Sequence, residues 1–304
     1  MTAGKEMIEA GIKTKIFWLI ILLFVLAVAI IGYLFFCQPS SQTSSPASIQ
    51  PSKTNQDEKF NEEKIMKITT IFDNYYAENQ TLENLSTGWG FSALLEIADR
   101  KILFDTGADG NILLANMATL EIKPAEIETV VLSHNHDDHT GGLADLLAQN
   151  SNLKVYLPKS FPQSFKNEII SEGGQVVEVD QNLRITENVY STGQLGTSIK
   201  EQALLVKTSR GLIVITGCAH PELVEIVKES KKITGQEIYL IMGGFHLLEK
   251  SEAEIESVIK ELKNLGVKKV APSHCSGEKA KDLFKKEYQD DFINNGVGKI
   301  IEIS

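Results

Sequence analysis

Six histidines occur in the chain, and all six fall in four short segments. These are Ser133-His134-Asn135-His136-Asp137-Asp138-His139, Thr216-Gly217-Cys218-Ala219-His220, Gly243-Gly244-Phe245-His246 and Pro272-Ser273-His274-Cys275. Two of the three cysteines, Cys218 and Cys275, share those segments. The first segment packs three imidazoles and two carboxylates into residues 134–139. Imidazole and carboxylate are ligands for Zn, Mn or Fe at neutral pH. His134 and His136 are two apart, so in an extended turn their rings can converge on one ion. Asp138 and His139 then point to a neighbouring position, where a second ion can sit. Two metals about 3.5–4 Å apart can share a hydroxide and clamp an oxyanion.

Elements that could carry these segments are legible in the hydrophobic pattern. Strands are expected at Ile65–Phe72, Phe91–Ile97, Lys101–Phe104, Thr129–Leu132, Lys154–Leu157 and Gln175–Val179. Further strands are expected at Leu183–Tyr190, Ala203–Lys207, Leu212–Thr216, Glu237–Ile241, Lys269–Ala271 and Lys299–Ile303. Helices are expected at Asn111–Leu120, Leu143–Gln149, Pro221–Lys231, Glu252–Leu265 and Glu278–Tyr288. Pro221 suits a first helical turn, where its missing N–H is no loss. Ser251 before Glu252 and Glu254 reads as an N-cap followed by acidic residues. Each histidine segment directly follows a strand, and strand C-terminal ends are where open α/β sheets place their sites. Strands that come in adjacent pairs before helices fit two mixed sheets flanked by helices.

The motif His134-x-His136-x-Asp138-His139 resembles the signature of the metallo-β-lactamase fold superfamily, and Phe104-Asp105-Thr106-Gly107 resembles the strand-end Asp motif that precedes it. The resemblance covers Ile65 to Ser304 and implies an α/β fold, an αββα sandwich with metals at one edge between the sheets. The segments Gly211–Pro221, Gly243–Leu247 and Ala271–Gly277 look like one branch of it. That branch is similar to the archaeal 7,8-dihydropterin-6-methyl-4-(β-D-ribofuranosyl)aminobenzene 5′-phosphate synthase. The resemblance implies that His134 and His136 hold a first metal, that Asp138, His139 and His274 hold a second, and that Asp105 orients a ligand imidazole. Zinc is the expected ion, one or two per chain, with manganese or iron as alternatives. The sequence departs from the family in the middle. A separate His expected before the Gly-Asp motif is missing from Ser191–Ser198, and the usual bridging Asp aligns near Cys218. His220 is then the candidate for the missing imidazole. Cys218 either bridges as thiolate or only packs. His246, after the Gly243-Gly244 turn that lets backbone come close to a ligand, is the candidate substrate contact and acid. Cys275 reads as packing; a Cys218–Cys275 disulfide would compete with metal binding.

The function this implies is hydrolysis of a small ester, lactone or phosphoester by a metal-bound hydroxide, with Asp138 orienting the water or moving its proton. A transferase like the named synthase is the second reading, and a metal or ligand sensor without turnover the third. The departure in the middle segment disfavours β-lactam hydrolysis. A net charge of −10 disfavours a broad phosphate-binding surface, so no nucleic-acid partner is expected. The oligomeric state has no signature in the sequence.

The N-terminus adds a location. Residues 1–15 form a short tail, and Ile16–Phe36 is an uncharged apolar run of 21 residues. At about 1.5 Å per residue it crosses a hydrocarbon core of about 30 Å. It is longer than a cleavable signal core and ends in Phe35-Phe36-Cys37, unlike a cleavage site. It therefore reads as a transmembrane signal anchor set in the lipid bilayer. Lys5, Lys13 and Lys15 precede it and the next cation is Lys53, so the tail is expected in the cytoplasm and the rest outside. Residues 37–64, rich in Ser, Thr, Pro, Gln and Asn, read as a flexible tether. The catalytic domain is assigned to residues 65–304.

Overall fold

The computed structural model describes residues 66–78 and 83–303. Tail, anchor and tether lie outside the described residues, among which no helix is long and apolar enough to cross a membrane.

Among the described residues, thirteen strands form two mixed sheets. The first holds β1 (Met66–Phe72), β2 (Ser92–Ile97), β3 (Arg100–Phe104), β4 (Thr129–Val131), β5 (Lys154–Pro158), β6 (Gln175–Val179) and β13 (Ile300–Ile303), in the order β13-β1-β2-β3-β4-β5-β6. The second holds β7 (Leu183–Thr186), β8 (Val189–Ser191), β9 (Leu204–Thr208), β10 (Gly211–Thr216), β11 (Ile238–Gly244) and β12 (Lys269–Ser273), in the order β12-β11-β10-β9-β8-β7. The helices are α1 (Gly110–Thr119), α2 (Asp137–Thr140), α3 (Leu143–Gln149), α4 (Gln163–Ser171), α5 (Leu223–Thr234), α6 (Glu252–Asn264) and α7 (Glu278–Tyr288).

Side chains alternate across each strand, and in central strands such as β2, β10 and β11 both faces are apolar. Ala93, Leu95, Ile102, Phe104 and Val131 face Val206, Ile213, Ile215, Leu240 and Met242 in a core between the sheets. Leu94, Leu103, Val130 and Val155 face outward onto Leu113 and Met117 of α1 and Leu146 of α3. Leu212, Val214 and Ile241 face outward onto Ile226 of α5, Ile255 of α6 and Phe284 of α7. The result is the expected αββα sandwich. Ser251 caps α6 with a full capping box: its hydroxyl accepts from Glu254 N–H while the Glu254 carboxylate accepts from Ser251 N–H.

Several expectations change, and the one-turn helix α2 was not among the expected helices. Leu183–Tyr190 is not one strand but the hairpin β7–β8. Its Glu187-Asn188 connection puts Asn188 at φ +61°, which Asn tolerates better than most residues. Pro221 is not in a first helical turn, because Glu222 at φ +76° intervenes and α5 starts at Leu223. Helix α4 was not expected at all. It carries few apolar residues, and one of its buried positions is Lys166, whose ammonium meets Glu178 at 2.8 Å.

The topology matters for the site. Strands β3 and β4 run parallel, as do β10, β11 and β12. Strand β1 is antiparallel to β2, and β2 to β3, so β1 shares the direction of β3. The C-terminal ends of β1, β3 and β4 thus gather on one edge of the first sheet, and those of β10, β11 and β12 on one edge of the second.

Leu240 is fully buried between the sheets. Leu240→Ala should lower unfolding free energy by about 2–5 kcal/mol, read from chemical denaturation.

Candidate metal centre

Every histidine segment sits at one of these strand ends. Strand β4 leads into Ser133-His134-Asn135-His136 and the one-turn helix α2 with Asp138 and His139. Strand β10 leads to Cys218 and His220, β11 to His246, and β12 to His274. Strand β3 leads to Asp105 and β1 to Asp73-Asn74.

The imidazoles come together in two adjoining clusters and a third group, Cys218, His220 and His246, that shares a member with each. His134, His136 and His220 each offer a ligand atom within 4.8 Å of the others, and Asp138, His139, Cys218 and His274 do the same. In the first cluster His134 Nε2 and His136 Nδ1 are 3.0 Å apart. A tetrahedral ion at about 2.0–2.1 Å from each nitrogen separates its ligands by about 3.3 Å, so this spacing suits a shared ion. The His220 ring lies 4.7 Å from that of His134, centre to centre.

The hydrogen-bond network assigns which nitrogens are free. Asn74 donates from its amide nitrogen to the His274 carbonyl (3.0 Å), so its oxygen faces His274 Nδ1 at 2.9 Å and takes that proton. His274 Nε2 then presents a lone pair, 3.2 Å from Asp138 Oδ2. His139 Nδ1 donates to Asp105 Oδ2 at 2.7 Å. Its Nε2 faces Cys218 Sγ at 3.2 Å and Asp138 Oδ2 at 3.6 Å. Asp105 reaches a second imidazole through Ser133. The Ser133 hydroxyl donates to Asp105 Oδ2 (2.7 Å) and lies 2.9 Å from His134 Nδ1, whose proton it can accept. Asp105 thus hydrogen-bonds His139 directly and reaches His134 through Ser133.

Lone pairs aimed at one another in a buried site need a cation between them. Two buried nitrogens, His220 Nε2 and His274 Nε2, have no hydrogen-bond partner. That is the observation on which the residues fit a divalent metal. Charge distribution agrees. Burial and the neighbouring His139 push His134 well below the usual histidine range. Burial and His246 push His220 down to about 4. Both are therefore neutral, as ligands must be. Burial pushes His139 down too, but the Asp105 carboxylate outweighs it and raises the imidazole to about 9. Burial pushes Asp138 up, but the neighbouring His274 and the charge of His139 outweigh it and hold the carboxyl at about 2. Without metal, a proton on His139 supplies the positive charge that the cluster of acceptors demands.

His246 is exposed at the rim, its ring 4.4 Å from that of His220, and a hydrogen bond with Cys275 raises its pKa against burial. Gly243 and Gly244 are buried. A Cβ at Gly243 would meet Thr216 O at 2.0 Å, and one at Gly244 would meet Gly217 O at 2.2 Å and Cys275 Sγ at 2.7 Å. The close approach they permit is made by the chain itself, the β10 turn lying against β11. Cys218 and Cys275 are buried free thiols, not a disulfide, and Cys275 Sγ points at Cys218 O at 3.6 Å. Five non-glycine residues here adopt left-handed backbone: Asp105 (φ +56°), Ala219 (+63°), Glu222 (+76°), His246 (+53°) and His274 (+48°).

Three groups at the site had no role in the sequence reading. Asn74 follows β1 as the histidines follow their strands, but nothing local to it announces a partner two hundred residues away. Trp89 is half exposed, with its ring 4.9 Å from that of His274. A lone tryptophan in a Gly-Trp-Gly turn gave no hint of that. Glu201, wholly buried, accepts backbone hydrogen bonds from Gly217, Cys218, Ala219 and His220. Nothing local to Glu201 announces a partner sixteen to nineteen residues away.

Comparison with known proteins agrees with this geometry. Residues 89–202 match the family model of the metallo-beta-lactamase superfamily. The chain is 32% identical to the 7,8-dihydropterin-6-methyl-4-(beta-D-ribofuranosyl)-aminobenzene-5′-phosphate synthase of Methanocaldococcus jannaschii, over 78% of this chain and 96% of that protein. A solved metal-dependent hydrolase of the beta-lactamase superfamily superposes with TM-score 0.66 at 29% identity, covering 79% of this chain and 99% of the other. The metallo-beta-lactamase fold protein YhfI of Bacillus subtilis shares the fold, with TM-score 0.56 at 16% identity over 79% and 99% of the two chains.

Asp105→Asn places an amide N–H against either the Ser133 N–H or the His139 Nδ1–H. Metal affinity should fall about 10–100-fold, read by chelator competition on protein with unchanged circular dichroism. Unchanged affinity would refute the orienting role.

Proposed function

The chain belongs to the metallo-β-lactamase superfamily, and we propose that it is a metal-dependent hydrolase of a small ester, lactone or phosphoester. The observation that carries this reading is the pair of adjoining ligand clusters with free lone pairs turned inward. His134, His136 and His220 would hold one ion; Asp138, His139 and His274, with Cys218, would hold the other. Zinc suits this mixture of imidazole, carboxylate and thiol, with manganese or iron as alternatives. When bound, the metal supplies Lewis acidity and lowers the pKa of water toward about 7.

The chain's own groups divide the remaining work. Asp138 Oδ2, between His139 and His274 and partly open to solvent, is placed to orient a water or receive its proton. Asp105, Ser133 and Asn74 keep the imidazoles from rotating. His246, at the rim with its raised pKa, can contact substrate and return a proton to the leaving group. Trp89 offers an aromatic wall beside His274.

A second reading, a transferase, is favoured by one observation: the synthase relative matches along 96% of its own length. Assays of purified protein with a panel of phosphodiester, lactone and thioester substrates, and separately with a dihydropterin and an aminobenzene ribosyl phosphate, separate the two.

The apolar run Ile16–Phe36 supports a further part of the proposal, a single-pass anchor with the N-terminus cytoplasmic and residues 65–304 on the outer side. The protein should sediment with membranes, and external protease should digest the domain in intact cells. Recovery in the soluble fraction would overturn the anchor.

Asp138→Ala should abolish turnover, by at least about 100-fold, while thermal unfolding stays cooperative. Turnover equal to wild type would sink the assignment. Chelator treatment should abolish activity, and added zinc or manganese should restore it.

A further inference from the structure

Glu201 lies at the point where the two halves of the site meet. Its backbone is fixed by a two-way bond with Leu195, Leu195 N–H to Glu201 O at 2.8 Å and Glu201 N–H to Leu195 O at 3.1 Å. Its carboxylate enters the β10 turn. Oε1 accepts from Gly217 N–H (3.1 Å), Cys218 N–H (3.0 Å) and Ala219 N–H (2.9 Å); Oε2 accepts from His220 N–H (2.9 Å). Successive amides turned to one side by a left-handed residue, here Ala219, form a concavity that binds anions. In this chain the anion is built in. The next residue ties to the other sheet: Gln202 N–H donates to Ser133 O at 2.9 Å, and its side-chain amide donates to Leu132 O at 2.8 Å. One dipeptide therefore holds the turn that carries Cys218 and His220 and the loop that carries His134 and His136.

We propose that Glu201 is a positioning residue of the metal centre, whose grip on the four amides of residues 217–220 sets where His220 and Cys218 stand relative to the imidazoles of the β4 loop. A buried carboxylate is costly unless satisfied, and four amide donors satisfy it. What the full set adds is a fixed direction for each residue of the turn. The inference rests on the metal-binding reading above.

Glu201→Gln tests it selectively. The amide oxygen can keep the three bonds at Oε1, but its NH2 group then meets His220 N–H, donor against donor. The His134–His136–His220 cluster loses the anchor of one ligand in three, whereas Asp138, His139 and His274, and Cys218 whose N–H keeps its oxygen acceptor, remain oriented as before. On the full chain, metal titration with zinc should show one equivalent bound 10–100-fold more weakly and the other unchanged. Glu201→Asp, which keeps the charge, should lie between. Both equivalents bound as in wild type would overturn the proposal, and so would equal weakening of both, the mark of a general structural role.

A second measurement does not depend on the variant folding. In metal-free wild type the amide hydrogens of Cys218, Ala219 and His220 should already be protected from exchange with solvent. Rapid exchange that slows only when zinc is added would show that metal, not Glu201, sets the turn, and would overturn the proposal. A wild type that binds no metal would overturn the function proposed above and leave the exchange result standing on its own.

Discussion

The rest of the structure depends on one electrostatic constraint: several lone pairs must be held pointing at the same small volume. His139 Nε2, His274 Nε2 and Asp138 Oδ2 repel unless positive charge lies among them. Left alone, imidazoles would rotate to pair their nitrogens with water or backbone. Asp105 and Asn74 prevent this by taking the Nδ1 protons on the outer side. Ser133 does the same for His134. Each of these anchors sits at a strand end, where backbone positions are fixed by the ladder, so the orientation of the rings is inherited from the sheets.

Two sheets contribute the ligands, and neither edge is complete alone. The first delivers His134, His136, Asp138 and His139; the second delivers Cys218, His220, His246 and His274. A metal held between them would cross-link the sandwich. Binding free energy is then also folding free energy, because unfolded chain offers no comparable site. The apolar core between the sheets, from Phe104 and Val131 to Ile213 and Met242, keeps the two edges in place before any ion arrives.

Much of this was legible in the residues. Strands buried on both faces announce themselves as continuous apolar runs, and most of their bounds lie within a residue or two of expectation. The clustering of every histidine at a strand end located the site, because topology alone brings such ends together. What was not legible depends on partners distant in sequence. Glu201 looks like any acidic residue ahead of a strand until the β10 turn folds onto it. Asn74 acquires meaning only when β12 delivers His274 two hundred residues later. Helix α4 has little apolar periodicity, because its packing uses the stem of Lys166 as well as Ile169. The break at Asn188 turns on one residue's tolerance for left-handed backbone, and a run of alternating side chains conceals it.

That same backbone conformation bears on how the protein can change over generations. Asp105, Ala219, Glu222, His246 and His274 all occupy it, at a cost of order 1–3 kcal/mol each where nothing compensates. Glycine at any of these positions would relax the chain. At Asp105, His246 and His274 it would also delete the side chain on which the chemistry rests. Drift toward greater durability and retention of the centre therefore pull in opposite directions at three of the same codons. A lineage released from the chemistry should lose its polar side chains there first.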